Sequence, residues 1–153
     1  MECRVPVIRR RAIAMLLALL LLPIMAAADR TVVLVTSQSC PIEALDSLDV
    51  RKAYLGVAVS VDGNHVRPLR LNNDAMLDQV FFQSIVAMSR KSYERRALSL
   101  ALRFGTPRPI EVDNLDAALQ IVRTIECNIV YAWSDELVDR DGIKVLQPLW
   151  QGE

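Results

Sequence analysis

The chain has 153 residues, of which 52% are hydrophobic, 24% charged and 5% aromatic. Those proportions belong to a globular protein and exclude a disordered or fibrous chain. Basic and acidic side chains balance at 18 each, so there is no chain-wide basic field for nucleic acid. Three cysteines and one histidine cannot build a zinc site with two histidines, and neither CxxC nor HExxH spacing occurs. No cofactor is expected.

Arg4, Arg9, Arg10 and Arg11 precede an almost unbroken apolar run over residues 12–28, which closes on Ala26-Ala27-Ala28 before Asp29. A basic start, an apolar middle and a small-residue end form the pattern of a secretory signal peptide. About 17 apolar residues at 1.5 Å each span roughly 25 Å, short of a bilayer core of about 30 Å. Cleavage after Ala28 is the expectation, and a permanent N-terminal anchor is the competing reading. Residues 29–153 then form one domain with 14 basic and 17 acidic side chains, a formal charge of −3. It retains Cys40 and Cys127 in an oxidising compartment.

Residues 31–35 (Thr-Val-Val-Leu-Val) are apolar on both faces and predict a buried strand, followed by the hydroxyl-bearing Thr36, Ser37 and Ser39. Ser47 is placed to cap a short helix over residues 48–55, with Gly56 at its C′ position. Val57, Val59 and Val61 alternate before the turn signal Asp62-Gly63, and an extended pattern resumes from Val66. A helix over residues 75–88 follows Asn72-Asn73-Asp74, with Leu77, Val80, Phe81, Ser84, Ile85 and Met88 at helical spacing as its stripe. Ser89 caps the next helix, which Gly105 and Pro107 stop. Asp113 or Asn114 caps another, with Leu115, Ala118, Leu119, Val122 and Ile125 on one face. Residues 128–133 and 143–146 read as two further strands. Strands interleaved with helices predict an α/β fold.

Four features in order carry a resemblance: Leu48 through Tyr54-Leu55-Gly56; Asp62-Gly63 with Val66-Arg67-Pro68-Leu69 and Phe81-Phe82; Tyr93 through Phe104-Gly105; and Ile129-Val130-Tyr131-Ala132 with Gly142-Ile143-Lys144-Val145-Leu146. Together they resemble the small periplasmic relatives of phosphate ABC-transporter substrate-binding proteins. The resemblance implies a shortened type II periplasmic binding-protein fold, a mixed sheet flanked by helices. It also implies a periplasmic, non-enzymatic solute-binding module that takes phosphate or another small anion and meets a membrane transporter or another envelope protein.

In that family an anion is held by helix-start amides and hydroxyls with an arginine nearby, a chemistry that exposed N–H donors and a guanidinium fork suit. By resemblance, the candidate ligands here are Ser37, Ser39, Arg70, Asn72 and Asn73. The hydroxyl-rich loop of the phosphate binders is replaced by Asn72-Asn73-Asp74-Ala75, and Asp74 puts a carboxylate where it would take the helix-start donors and repel phosphate. The alternative is therefore an accessory module that kept the scaffold and contacts a protein, with the basic stretch from Arg90 to Arg103 as its contact. His65 and the Asp139–Gly142 stretch read as turn residues, and no GxSxG or GxxxxGK[ST] motif supports an enzyme. If the two cysteine-bearing strands run parallel, Cys40 and Cys127 lie at opposite edges of the sheet, and both are expected reduced and buried.

Overall fold

The computed structural model describes residues 30–152. The targeting segment read at residues 1–28 lies outside the described residues. β1 (Thr31–Ser37) is buried along its whole length except at Thr31. A strand with no polar face has to be covered on both sides. It lies inside a sheet of order β2-β3-β5-β1-β6, with β4 added beside β3. β5 (Asn128–Trp133), also buried throughout, pairs antiparallel with one edge of β1. β6 (Ile143–Gln151) pairs antiparallel with the other. β6 runs five residues beyond the strand expected at 143–146. As an edge strand it tolerates Pro148, and two register shifts against β1 absorb the irregularity.

β2 (Val59–Val61) and β3 (Asn64–Leu71) form a hairpin. Its turn residues Asp62 and Gly63 both have positive φ, 50° and 82°, as a tight two-residue hairpin connection requires. β3 then runs parallel to β5. β4 (Ile110–Val112), three residues long and not signalled by the proline-rich sequence before it, adds in parallel to β3. The sheet is therefore mixed, and helices flank it.

α1 (Ser47–Tyr54) is capped by Asp46 rather than by Ser47. The Asp46 carboxylate accepts from the Leu48 amide at 2.7 Å, and a charged acceptor is favoured at the positive end of a helix. The helix expected at 75–88 is shorter: α2 (Ala75–Val80) passes into a π turn over Phe81–Ile85. The Val86 amide reaches the Phe81 carbonyl at 3.0 Å, five residues back. This wider turn keeps Phe81, Phe82 and Ile85 all buried. α3 (Arg90–Phe104) starts at the Ser89 cap and ends at Gly105 with φ 64°. α4 (Leu115–Thr124) settles the choice of cap on Asn114.

Cys40 and Cys127 are joined in a disulfide with Cα atoms 5.0 Å apart, which corrects the reduced pair expected from the sequence. The reason is strand polarity. Because β1 and β5 run antiparallel, with Thr36 opposite Ile129, the end of β1 and the start of β5 lie side by side.

Candidate functional site

β3 delivers Arg70 into the core beside α2 and α3, and its side chain is only 2% exposed. A buried guanidinium must be paired and hydrogen-bonded. Arg70 donates to Asp78 at 3.0 Å, to Glu111 at 2.6 Å and to Glu94 at 3.3 Å. Its charged carbon lies 5.0 to 5.6 Å from the ring centres of Phe82, Phe81 and Tyr93, where the ring faces attract a cation. Arg90 binds the other oxygen of Asp78 and stands over Phe82. Arg108 reaches Glu94 at 4.0 Å. The result is an alternating chain of three cations and three carboxylates, so Arg70 is already matched by acidic groups. Its partners are Asp78, Glu94 and Glu111.

The aromatic floor beneath Arg70 is hydrogen-bonded as well. The hydroxyls of Tyr54, Tyr131 and Tyr93 donate to the carbonyls of Leu69, Leu71 and Tyr54 at 3.2, 3.1 and 3.1 Å. Burial pushes the Tyr93 phenol up to about 12 and raises Tyr54 and Tyr131 well above the ordinary value. All three therefore stay neutral donors at physiological pH.

Asn72, Asn73 and Asp74 follow β3 and head α2. Asn72 and Asn73 are exposed, and the Asn72 amide donates to the Val112 carbonyl at 2.9 Å. The Asp74 carboxylate accepts from the Met76 amide and from the Trp133 indole N–H, each at 2.7 Å. Burial pushes its pKa up, but the indole, the Met76 and Leu77 amides and the Arg30 guanidinium together hold it below the ordinary value. The carboxylate is therefore ionised at neutral pH. Arg30 packs over Trp133, 4.2 Å from the ring centre, and pairs with Asp135 at 3.2 Å.

Ser37 and Ser39 lie elsewhere. Ser37 is buried, and its hydroxyl is 2.8 Å from that of exposed Ser39. β1 is antiparallel to β5 while β3 is parallel to it, so the C-terminal ends of β1 and β3 point in opposite directions. Thr36 pairs with Ile129, whereas Trp133, which holds Asp74, is four residues along β5. Four strand residues span about 13 Å. The structure thus brings Arg70, Asn72 and Asn73 to one end of the sheet and leaves Ser37 and Ser39 at the other. Among the described residues no group of three His, Cys, Asp or Glu is arranged to hold a metal ion.

The fold is similar to that of solved structures. One is a protein of Clostridium perfringens assigned as a phosphate ABC transporter substrate-binding protein and solved with bound phosphate. It superposes with a TM-score of 0.58 at 13% identity, over 78% of this chain and 45% of that one. PstS from Borrelia burgdorferi superposes with a TM-score of 0.56 at 11% identity, over 78% and 47%. The fold is that of the periplasmic binding proteins. The chain matches under half the length of either structure. No protein-family profile matches the sequence, and no curated protein matches it. Asp78, Glu94 and Glu111 carry no sequence signal as partners of Arg70, because they lie 8, 24 and 41 residues away in the chain.

Proposed function

We infer that this chain is an exported, non-enzymatic module built on the solute-binding scaffold, and that its own side chains close the anion seat expected at the head of α2. The observation that carries the reading is the Asp74 carboxylate at 2.7 Å from the Met76 amide. An ionised carboxylate there supplies the acceptor that a bound phosphate would supply, and it repels a second anion. Arg70, facing three carboxylates, supplies no free cation to offset that repulsion. On this reading the periplasm is the place of work, and a transporter or another envelope protein is the partner.

The test is thermal unfolding of the purified protein with millimolar phosphate, sulfate or chloride at matched ionic strength. Occupancy at about 100 times the dissociation constant adds roughly 2.7 kcal/mol, several degrees for a domain of this size. The expected result is the same small response to all three salts. A phosphate-specific rise of several degrees would overturn the closed seat.

A further inference from the structure

The edge of β3 away from β5 is shared by two short strands. Val59 and Val61 of β2 pair with Val66 and Asn64, and β4 pairs with residues 69–71. Alternate residues of a strand turn their backbone groups to opposite edges. The Arg67 amide goes to Cys127 beside β5, while the Asn72 amide goes to Val112 in β4. Pro68 therefore stands in the gap between β2 and β4. A groove of about 350 Å³ opens over this gap, within the range of small-molecule sites.

Its walls include Val57, Val59, Pro68, Pro107, Ile110 and Ile125. Three of them, Val57, Ile110 and Ile125, are more than 40% exposed, which gathers costly apolar surface in one place. The charged lining is all of one sign: Arg67 and Arg108 are present, with His65 beside them, and no Asp or Glu lines the groove. The Arg67 side chain has no hydrogen-bonded or ionic partner among the described residues, and that of Arg108 has only the 4.0 Å contact to Glu94. An added β-strand is a poor occupant, because Pro68, Pro107 and Pro109 in the lining have no N–H to offer a ladder.

We propose that this groove binds an amphipathic anion, an aliphatic or aromatic carboxylate whose tail lies on the valine, isoleucine and proline wall and whose head meets Arg67 and Arg108. The apolar wall supplies affinity in proportion to the surface covered. The guanidinium forks suit a carboxylate's two oxygens. This site lies apart from the head of α2, and it goes beyond the reading given for that seat.

Octanoate is the probe, followed by amide chemical shifts of the full chain, with acetate and octylammonium as controls for tail and charge. Octanoate is expected to move the amides of Val59, Val66, Arg108 and Ile110 saturably, and the two controls are not. The double variant Arg67→Gln, Arg108→Gln is expected to bind at least tenfold more weakly at unchanged Tm. Val57→Asp, which places a like charge at the wall, is expected to abolish binding. Insensitivity to octanoate, equal binding of octylammonium, or an unaffected double variant would overturn the proposal. Groove shifts that follow protein concentration instead of octanoate would also overturn it, by assigning the surface to a second copy.

Discussion

Replacing Cys40 and Cys127 together by alanine removes a cross-link between residues 87 positions apart. On the chain-entropy account, opening a loop of that length releases about 4.5 kcal/mol of denatured-state constraint at 25 °C. Both cysteines are buried, so each alanine also leaves a void where a sulfur packed. A domain of this size unfolds with an entropy that makes 1 kcal/mol worth about 3–5 °C. The double variant should therefore melt roughly 15 °C below the wild type. The assay is urea unfolding followed by tryptophan fluorescence, since buried Trp133 reports on the core. It is run on the wild type with and without reductant and on the variant with and without reductant. Reduced wild type should fall toward the level of the variant, staying above it only by the packing its two thiols keep, and reductant should leave the variant unmoved. A loss below about 1 kcal/mol, or free thiols at both positions in peptide maps of the unreduced purified protein, would refute the reasoning.

Arg70→Ala strands Asp78, whose side chain is 8% exposed, with Arg90 as its remaining cation. Breaking a buried pair in this way should cost about 3–4 kcal/mol. Glu111→Gln, at a carboxylate that is 53% exposed, should cost less than about 1 kcal/mol in the same denaturation assay. Asp74→Ala removes a helix cap and leaves the Trp133 indole without its acceptor, a loss of about 1–2 kcal/mol measured by urea unfolding. The folded pKa of Asp74 lies below its ordinary 3.8. Its contribution is therefore complete above 3.8 and lost as pH falls through the folded value. An acid titration of stability should show the wild type losing its advantage over Asp74→Asn only in that range. Gly56→Ala meets a φ of 79° and a Cβ 3.3 Å from both Leu100 Cδ1 and Thr106 Cγ2, whereas Gly63→Ala meets a similar φ in open space. The first variant should melt measurably lower than the second.

The sequence already shows those parts of the fold that are decided by chemistry within a few residues. Ser89 and Gly105 bracket α3 because a side-chain oxygen and a left-handed terminal residue act on adjacent backbone groups. Asp62-Gly63 marks the β2–β3 turn for the same reason. The even apolarity of residues 32–35 places β1 inside the sheet. Strand polarity has no such local signal. Nothing near Cys40 or Cys127 states that β1 opposes β5, and the expected reduced pair rested on the wrong orientation. The same long-range fact separates Ser37 and Ser39 from Arg70, Asn72 and Asn73. The π turn hides because its stripe of Val80, Phe81 and Ile85 suits an α-helix equally well. Asp46 displaces Ser47 as a cap by a single residue, within the reach of either side chain. The role of Arg70 depends on carboxylates from three other elements, which only the folded chain assembles.

The closed seat at the head of α2 is tested most directly by the amide resonance of Met76, whose N–H the Asp74 carboxylate holds. At neutral pH, titration with phosphate should leave that resonance unmoved beyond the shift produced by chloride at equal ionic strength. It should instead move when acid protonates Asp74, below the ordinary value of 3.8. A saturable, phosphate-specific displacement of the Met76 amide at neutral pH would contradict the account, because it would place the anion where the carboxylate stands.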